Sequence, residues 1–267
     1  MKVPEESVKR FKEEGYLPVE NILSISEVEQ IGKRLEDIAK GETDFPEKYI
    51  QIEPKLEGQN SVKDISTVRK ISHLTKYDSI FTQLARKPEI LAYVKAIIGP
   101  DLKVYLDQTM CKQAHIGSAK PPHQDSAYWT DVEPRNQIIC WIAINDSTIE
   151  NGCMRYIPGS HKGKIIDHKH LEDFRIEDKD INYEREVAIP LKAGSCCFHH
   201  SKVLHRTGPN LSSNGRIGVT IGYMSSKTKY TGDQPKPQHL LVSGISWCQL
   251  VPAGTRLYQR VAAGSCW

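Results

Sequence analysis

The sequence predicts a mainly β protein with flanking helices: a double-sheet jelly roll or a sandwich, with its helices packed on one sheet. Three observations predict it. From about residue 102, short β-rich segments follow one another at 103–113, 122–128, 137–145, 153–158, 185–191, 195–200, 203–208 and 216–225. Turn pairs punctuate them, at Asn151-Gly152, Pro158-Gly159, Ala193-Gly194 and Asn214-Gly215. The helical patterns lie ahead of the strands instead of alternating with them, which argues against a βαβ fold.

The elements follow in order. Residues 4–14 read as a helix with Val8 and Phe11 on its apolar face and Gly15 as its stop. Residues 16–19 read as extended. Ser26 followed by Glu29 has the spacing of a capping box and opens a helix to about Lys40, with Val28, Ile31, Leu35 and Ile38 on one side. Residues 42–66 are polar, contain Pro46, Pro54 and Gly58, and read as a loop or arm. Residues 68–74 read as extended. Residues 78–85 and 88–98 read as helices, the second with Pro88 in its first turn and Gly99-Pro100 as its end. Residues 160–184 read as a charged insertion without regular structure, a lid or a mobile loop. The tail after Ala253 carries few apolar residues and has no predicted place. The expected organisation is one domain over 1–267, with a helical part (1–100), a β core (102–225) and a C-terminal extension (226–267).

Composition narrows the class. The 267 residues are enough for a sizeable core, and 39% hydrophobic with 26% charged content is ordinary for a globular protein. A net charge of +3, without a basic cluster interleaved with aromatics, argues against nucleic acid. No apolar run approaches the roughly 18 residues of a membrane span. The seven cysteines show no CxxC pairing and read as reduced thiols in small core positions. With no apolar signal segment at Met1–Glu6 and no peroxisomal address at Ser265-Cys266-Trp267, the expectation is a soluble, cytoplasmic protein. Oligomeric state has no signal in the sequence.

The chemistry centres on Pro121-Pro122-His123-Gln124-Asp125. The prolines hold the chain extended, so His123 and Asp125 leave the same face of a strand. An imidazole and a carboxylate in one space can hold a divalent metal, and His205 is the preferred third ligand. His199 and His200 lie nearby, but neighbours in a strand alternate, so the three cannot all face one metal. The pair His170 and Glu172 repeats the His-x-acid spacing, in a segment read as helix or loop where such side chains diverge. Arg216, eleven residues after His205, opens the apolar run Ile217–Tyr223. An adjacent antiparallel strand would bring it near His205. An inward Arg there needs a carboxylate, and no acidic neighbour is obvious, so a ligand carboxylate is expected. Two His and one carboxylate with open positions suit non-haem Fe(II) oxygenases.

At these residues the sequence resembles the phytanoyl-CoA dioxygenase family of Fe(II)/2-oxoglutarate oxygenases. The matching stretches are Lys112-Gln113-Ala114-His115-Ile116-Gly117, Pro122-His123-Gln124-Asp125, the run from Trp141 to Gly163, and His205 with Arg216. The resemblance implies a double-stranded β-helix (jelly-roll, cupin-like) core. It implies His123, Asp125 and His205 as iron ligands and Arg216 as the anchor of the distal carboxylate of 2-oxoglutarate. Lys70 and Trp141 match family residues beside this cosubstrate, and Gln108 stands at a further contact position where a relative carries Met. Ala193-Gly194-Ser195 departs from the Gly-Asp of many members. The implied reaction hydroxylates a small molecule with O2, releasing succinate and CO2, with ascorbate as an in-vitro aid. Asp125, which related halogenases lack, favours hydroxylation or desaturation over halogenation. Tyr128, Trp129, His115 and the 160–184 insertion are candidates for the substrate side. A non-catalytic cupin-like binder and a metal-dependent hydrolase use similar ligand sets. Arg216 discriminates among them, since a hydrolase has no need of a carboxylate anchor on the strand after its last ligand.

Overall fold

Capping decides where the first helices begin and end. The computed structural model describes residues 2–56, 64–171, 173–235 and 237–244. Helix α1 (Glu5–Glu14) ends at Gly15, whose φ of 84° suits a residue without Cβ. A short strand β1 (Tyr16–Val19) follows, then α2 (Ile25–Lys40). The capping box of α2 is formed by Ser24 and Glu27, not by Ser26 and Glu29. The two Ser-x-x-Glu frames overlap, and the turn before the helix selects the earlier one. Its buried residues Ile31, Leu35 and Ile38 recur at helical spacing. Strands β2 (Ile50–Ile52) and β3 (Val68–Ser72) come next. The chain then turns into α3 (Leu74–Tyr77), a short helix where the sequence suggested extension to residue 74. Helix α4 (Ser79–Ala85) is capped by Asp78, whose carboxylate accepts from the Ile80 amide at 2.9 Å. Helix α5 (Pro88–Ile98) starts on Pro88 as expected.

The β core then runs through β4 (Leu102–Lys112), β5 (Lys120–His123), β6 (Val132–Glu133), β7 (Ile138–Ala143) and β8 (Met154–Tyr156). It continues with β9 (Lys169–His170), β10 (Phe174–Arg175), β11 (Val187–Ile189), β12 (Cys196–His200) and β13 (His205–Thr207). The last strands are β14 (Arg216–Ser225), β15 (Lys229–Tyr230) and β16 (Leu241–Ser243). The sequence's eight β segments each overlap one of these strands. The largest boundary difference is at 122–128, where the strand is Lys120–His123 and Asp125–Ala127 forms a 3-10 turn. Residues 160–184 are also more ordered than expected, since β9 and β10 pair as a hairpin. The tail after Ala253 lies outside the described residues.

Two antiparallel sheets face each other. The larger runs β1-β12-β7-β14-β4-β3-β2, with β16 also on β4, and the smaller runs β11-β8-β13-β5. This is a jelly roll with helices on one sheet. Side chains alternate along the large sheet. Cys140 and Ile142, Cys196 and Phe198, and Val219 and Ile221 join the helices' Leu35, Ile38, Ile90 and Val94 in the main apolar core. The alternate residues Trp141, Ala143 and Cys197 turn inward, where they meet Met154, Tyr156 and Val203 of the other layer. The helices therefore seal one face and leave the space between the sheets for chemistry. Among the described residues no helix is long and apolar enough to cross a membrane.

Candidate functional site

The smaller sheet builds a three-ligand cluster. His205 on β13 pairs directly opposite His123 on β5, so their rings lie 4.2 Å apart between centroids. Gln124 keeps an extended backbone (φ −120°, ψ 125°), which brings the Asp125 side chain back to the face of His123. Asp125 Oδ1 lies 3.6 Å from His123 Nε2 and 3.9 Å from His205 Nε2. Among the described residues these three form the group able to hold a metal ion, with ligand atoms within 4.8 Å of one another. His123 Nδ1 lies 2.8 Å from the Pro121 carbonyl and His205 Nδ1 2.9 Å from the Val203 carbonyl. A carbonyl only accepts, so each Nδ1 carries the proton and each Nε2 presents a lone pair to the shared space.

Electrostatics agree with that assignment. Burial alone would raise the Asp125 carboxyl, but the imidazoles of His205, His123 and His199 reverse this and hold it well below the usual carboxylate range. Burial, with His123 adjacent, holds His205 well below the usual imidazole range even though Asp125 opposes the shift. Near neutral pH the cluster is a carboxylate with an uncharged His205. Two imidazole donors and one carboxylate on one side of a cavity fit a divalent cation such as Fe(II).

The larger sheet supplies a second set. Arg216 pairs with Lys112, and Thr220 pairs with both Gln108 and Trp141. Lys70 pairs with Met110, itself opposite Gly218. Period-two alternation therefore places Lys70, Gln108, Trp141 and Arg216 on the single inner face of this sheet. The expectation that His205 and Arg216 sit on adjacent strands is not met. β13 belongs to the small sheet and β14 to the middle of the large one, so the two residues face the interior from opposite layers.

Arg216 is 3% exposed, and among the described residues no carboxylate pairs with it. Its Nη1 donates to the Gly152 carbonyl at 2.7 Å, its guanidinium carbon sits 5.0 Å over the Trp141 ring, and its Nε is buried without a partner. Burial pulls its pKa down to about 10. Trp141 can lie there because Gly218 has no side chain: a Cβ would come within 2.2 Å of the indole. Lys70 is half-buried, and burial followed by Arg69 and Lys120 lowers its pKa.

Lys112, beside Arg216, carries a signal the sequence reading missed, a lysine at an inward position of β4. It is 4% exposed and donates to the Ser118 carbonyl. Burial, with Arg216 and Arg69 close by, pulls its ammonium down to about 6 from an ordinary 10.5. The unfolded chain thus binds a proton that the folded chain sheds between pH 6 and 10.5, so this group makes stability rise with pH across that window. Lys112→Met is expected to unfold at higher urea than the parent at pH 7, with the gap narrowing towards pH 10 at up to about 1.4 kcal/mol per pH unit. Parallel pH profiles for the two proteins would show that the ammonium stays charged in the fold.

The remaining candidates separate. Tyr128 packs edge-on against His123 at 5.8 Å and donates to the Phe174 carbonyl at 2.6 Å, so it joins the metal cluster to the 160–184 insertion. Trp129 packs against Tyr105 at 5.0 Å instead. His115 is exposed in the turn after β4, with φ 61°. His170 is exposed and packs on Phe174 at 4.6 Å, while Glu172 lies outside the described residues. The insertion is held at several points. Ile176 is fully buried with Ile157 and Leu204, Lys120 pairs with Asp173 at 2.7 Å, and Gln124 accepts from the Ile166 amide at 2.8 Å. His199, set aside as a ligand, lies beside the cluster and contacts Asp125, whereas His200 turns away towards His161.

Comparison with known proteins agrees with this architecture. The family model "Phytanoyl-CoA dioxygenase (PhyH)" matches residues 11–218. Mouse peroxisomal phytanoyl-CoA dioxygenase is 28% identical over 233 residues, covering 83% of this chain and 68% of the mouse protein. Zebrafish phytanoyl-CoA dioxygenase domain-containing protein 1 is 26% identical over 264 residues, covering 84% of this chain and 90% of its own length. The apo structure of the non-haem monooxygenase ThoJ superposes with a TM-score of 0.71 at 26% identity, covering 89% of this chain and 83% of that one. With the two-layer fold and the His-Asp-His cluster in place, the chain belongs to the phytanoyl-CoA dioxygenase family of non-haem iron, 2-oxoglutarate-dependent oxygenases.

Proposed function

We propose that this protein is an Fe(II)- and 2-oxoglutarate-dependent dioxygenase that hydroxylates an unactivated C–H bond of a small molecule, with release of succinate and CO2. The observation that carries the reading is the buried Arg216, which lacks a carboxylate partner among the described residues and lines the same interior as His123, Asp125 and His205. A hydrolase or a simple metal binder has no use for a desolvated guanidinium there. A keto acid with a second carboxylate supplies the missing counter-charge.

The roles follow from chemistry and position. His123, Asp125 and His205 would hold the metal through Nε2, a carboxylate oxygen and Nε2. Bound Fe(II) supplies the redox chemistry that couples O2 and 2-oxoglutarate to oxidation of the substrate. Arg216 holds the distal carboxylate of 2-oxoglutarate, and the Lys70 ammonium adds charge from the same face. Trp141 fixes the plane of the guanidinium, and Gln108 offers an amide to the keto acid. Tyr128 and the β9–β10 hairpin cover the substrate side and exclude water. Residues 1–267 act as one oxygenase domain in this reading. The five described cysteines, all buried and free, suit a reducing, cytoplasmic setting.

The test is anaerobic loading with Fe(II), followed by 2-oxoglutarate, ascorbate and O2. Succinate is expected to appear in step with 2-oxoglutarate consumed, slowly at first and faster when a small-molecule library includes the substrate. An iron-loaded protein that neither binds nor consumes 2-oxoglutarate would overturn the proposal.

A further inference from the structure

We infer that His199 is a positioning residue that decides which oxygen of Asp125 faces the metal, and that Tyr156 holds it in the donor state needed to do so. The inference rests on the oxygenase reading above, since it concerns how that site keeps room for its cosubstrate.

His199 lies on β12, is 2% exposed and pairs opposite Tyr16 on one side and Ile139 on the other. Its Nε2 is 3.3 Å from Asp125 Oδ2. The other oxygen, Oδ1, is the one turned to His123 Nε2 at 3.6 Å and His205 Nε2 at 3.9 Å. The two carboxylate oxygens thus have different partners. His199 Nδ1 lies 3.1 Å from the Tyr156 hydroxyl. An ionised carboxylate only accepts, so Nε2 carries the proton and Nδ1 accepts from Tyr156. In this tautomer Tyr156 donates to His199 and His199 donates to Asp125, while the Cys197 thiol also lies within hydrogen-bond reach of the Tyr156 hydroxyl. Tyr156 cannot drift, because it is fully buried and stacks on Tyr16 at 4.7 Å with a 9° interplanar angle.

The consequence is geometric. With Oδ2 committed to His199, Asp125 offers one oxygen to the metal. A metal held there would take one atom from each of His123, Asp125 and His205, which would leave room for the keto acid. Without the imidazole donor, Oδ2 is free to swing inward and fill a position that the keto acid requires.

The test uses the full-length protein with Co(II) as a redox-silent probe. It compares His199→Phe, which fills the space without a donor, His199→Gln, which keeps an N–H donor, and Tyr156→Phe, which keeps the ring stack. On the Co(II)-loaded protein, His199→Phe is expected to weaken 2-oxoglutarate binding by roughly 10–100-fold and to change the visible Co(II) spectrum. His199→Gln should recover most of that loss, and Tyr156→Phe should fall between. A His199→Phe protein with the parent spectrum and parent 2-oxoglutarate affinity overturns the inference. So does a His199→Gln protein as impaired as His199→Phe, because the donor would then be irrelevant. If His199→Phe does not fold, Tyr156→Phe decides, and unchanged binding in it counts against the relay. A parent protein that binds Co(II) but never 2-oxoglutarate is a different result, which defeats the oxygenase reading itself.

Discussion

Replacing Arg216 with Met is expected to make the protein more stable and at the same time to remove most of its affinity for 2-oxoglutarate. The guanidinium is 3% exposed, its Nε has no partner, and burial has already pulled its pKa to about 10. A buried charge without a counter-charge is a standing cost to the fold. Met follows a similar path, keeps the contact with Trp141 and carries no charge. The gain is about 1–4 kcal/mol in urea unfolding, net of the bond to the Gly152 carbonyl. The loss is a charge-assisted pair with the cosubstrate, about 1.5–3 kcal/mol, or roughly 10–150-fold in Kd by calorimetry on the metal-loaded protein. Arg216→Lys should not restore binding, since an ammonium lacks the planar fork. A variant that is less stable yet binds 2-oxoglutarate normally would make the guanidinium a structural group.

Asp125→Ala is expected to weaken Fe(II) binding by more than the roughly 10–100-fold typical of losing an outer hydrogen-bond partner, because it removes a ligand atom. It also leaves the imidazoles of His123, His199 and His205 packed together without the carboxylate they share. The carboxyl is held below its ordinary value of 3.8, so its stabilising effect is complete above about pH 4 and fades as pH falls through the lower folded value. The variant should therefore lack the steep acid limb of the parent's stability curve, a second readout independent of iron. Anaerobic Fe(II) titration and acid unfolding measure the two effects. Parent-like iron affinity in this variant would place the metal elsewhere.

The His123–Asp125 half of the cluster was legible because its logic is local. Two prolines, a period of two and a lone carboxylate say where His123 and Asp125 point. What pairs with them is a long-range fact. That β13 lies against β5, putting His205 opposite His123, depends on the connection between them, and no short window of sequence encodes it. The same limit misplaced Arg216 onto a neighbouring strand. The strands of the core were legible from alternation and turn residues. The hairpin of β9 and β10 was not, because only two residues on each side pair and its charged tip hides any pattern. His199 was passed over for a simpler reason. Competing as a ligand and serving one look alike in a sequence, and only coordinates separate an imidazole aimed at a cation from one aimed at the cation's carboxylate.

The insertion is attached at its feet and also beside its turn, where Asp173 pairs with Lys120 at 2.7 Å. Ile176 and Gln124 anchor it close to the metal cluster, while Leu171 at the turn is 60% exposed. Changes in the length or charge of the stretch between Ile166 and Ile176 therefore reach the ligand strand, because His168 Nε2 accepts from the Gln124 amide at 2.9 Å and Asp173 pairs with Lys120. A segment with the composition of a surface loop thus serves as a brace for the ligand strand, and its sequence is constrained wherever it touches residues 120–124.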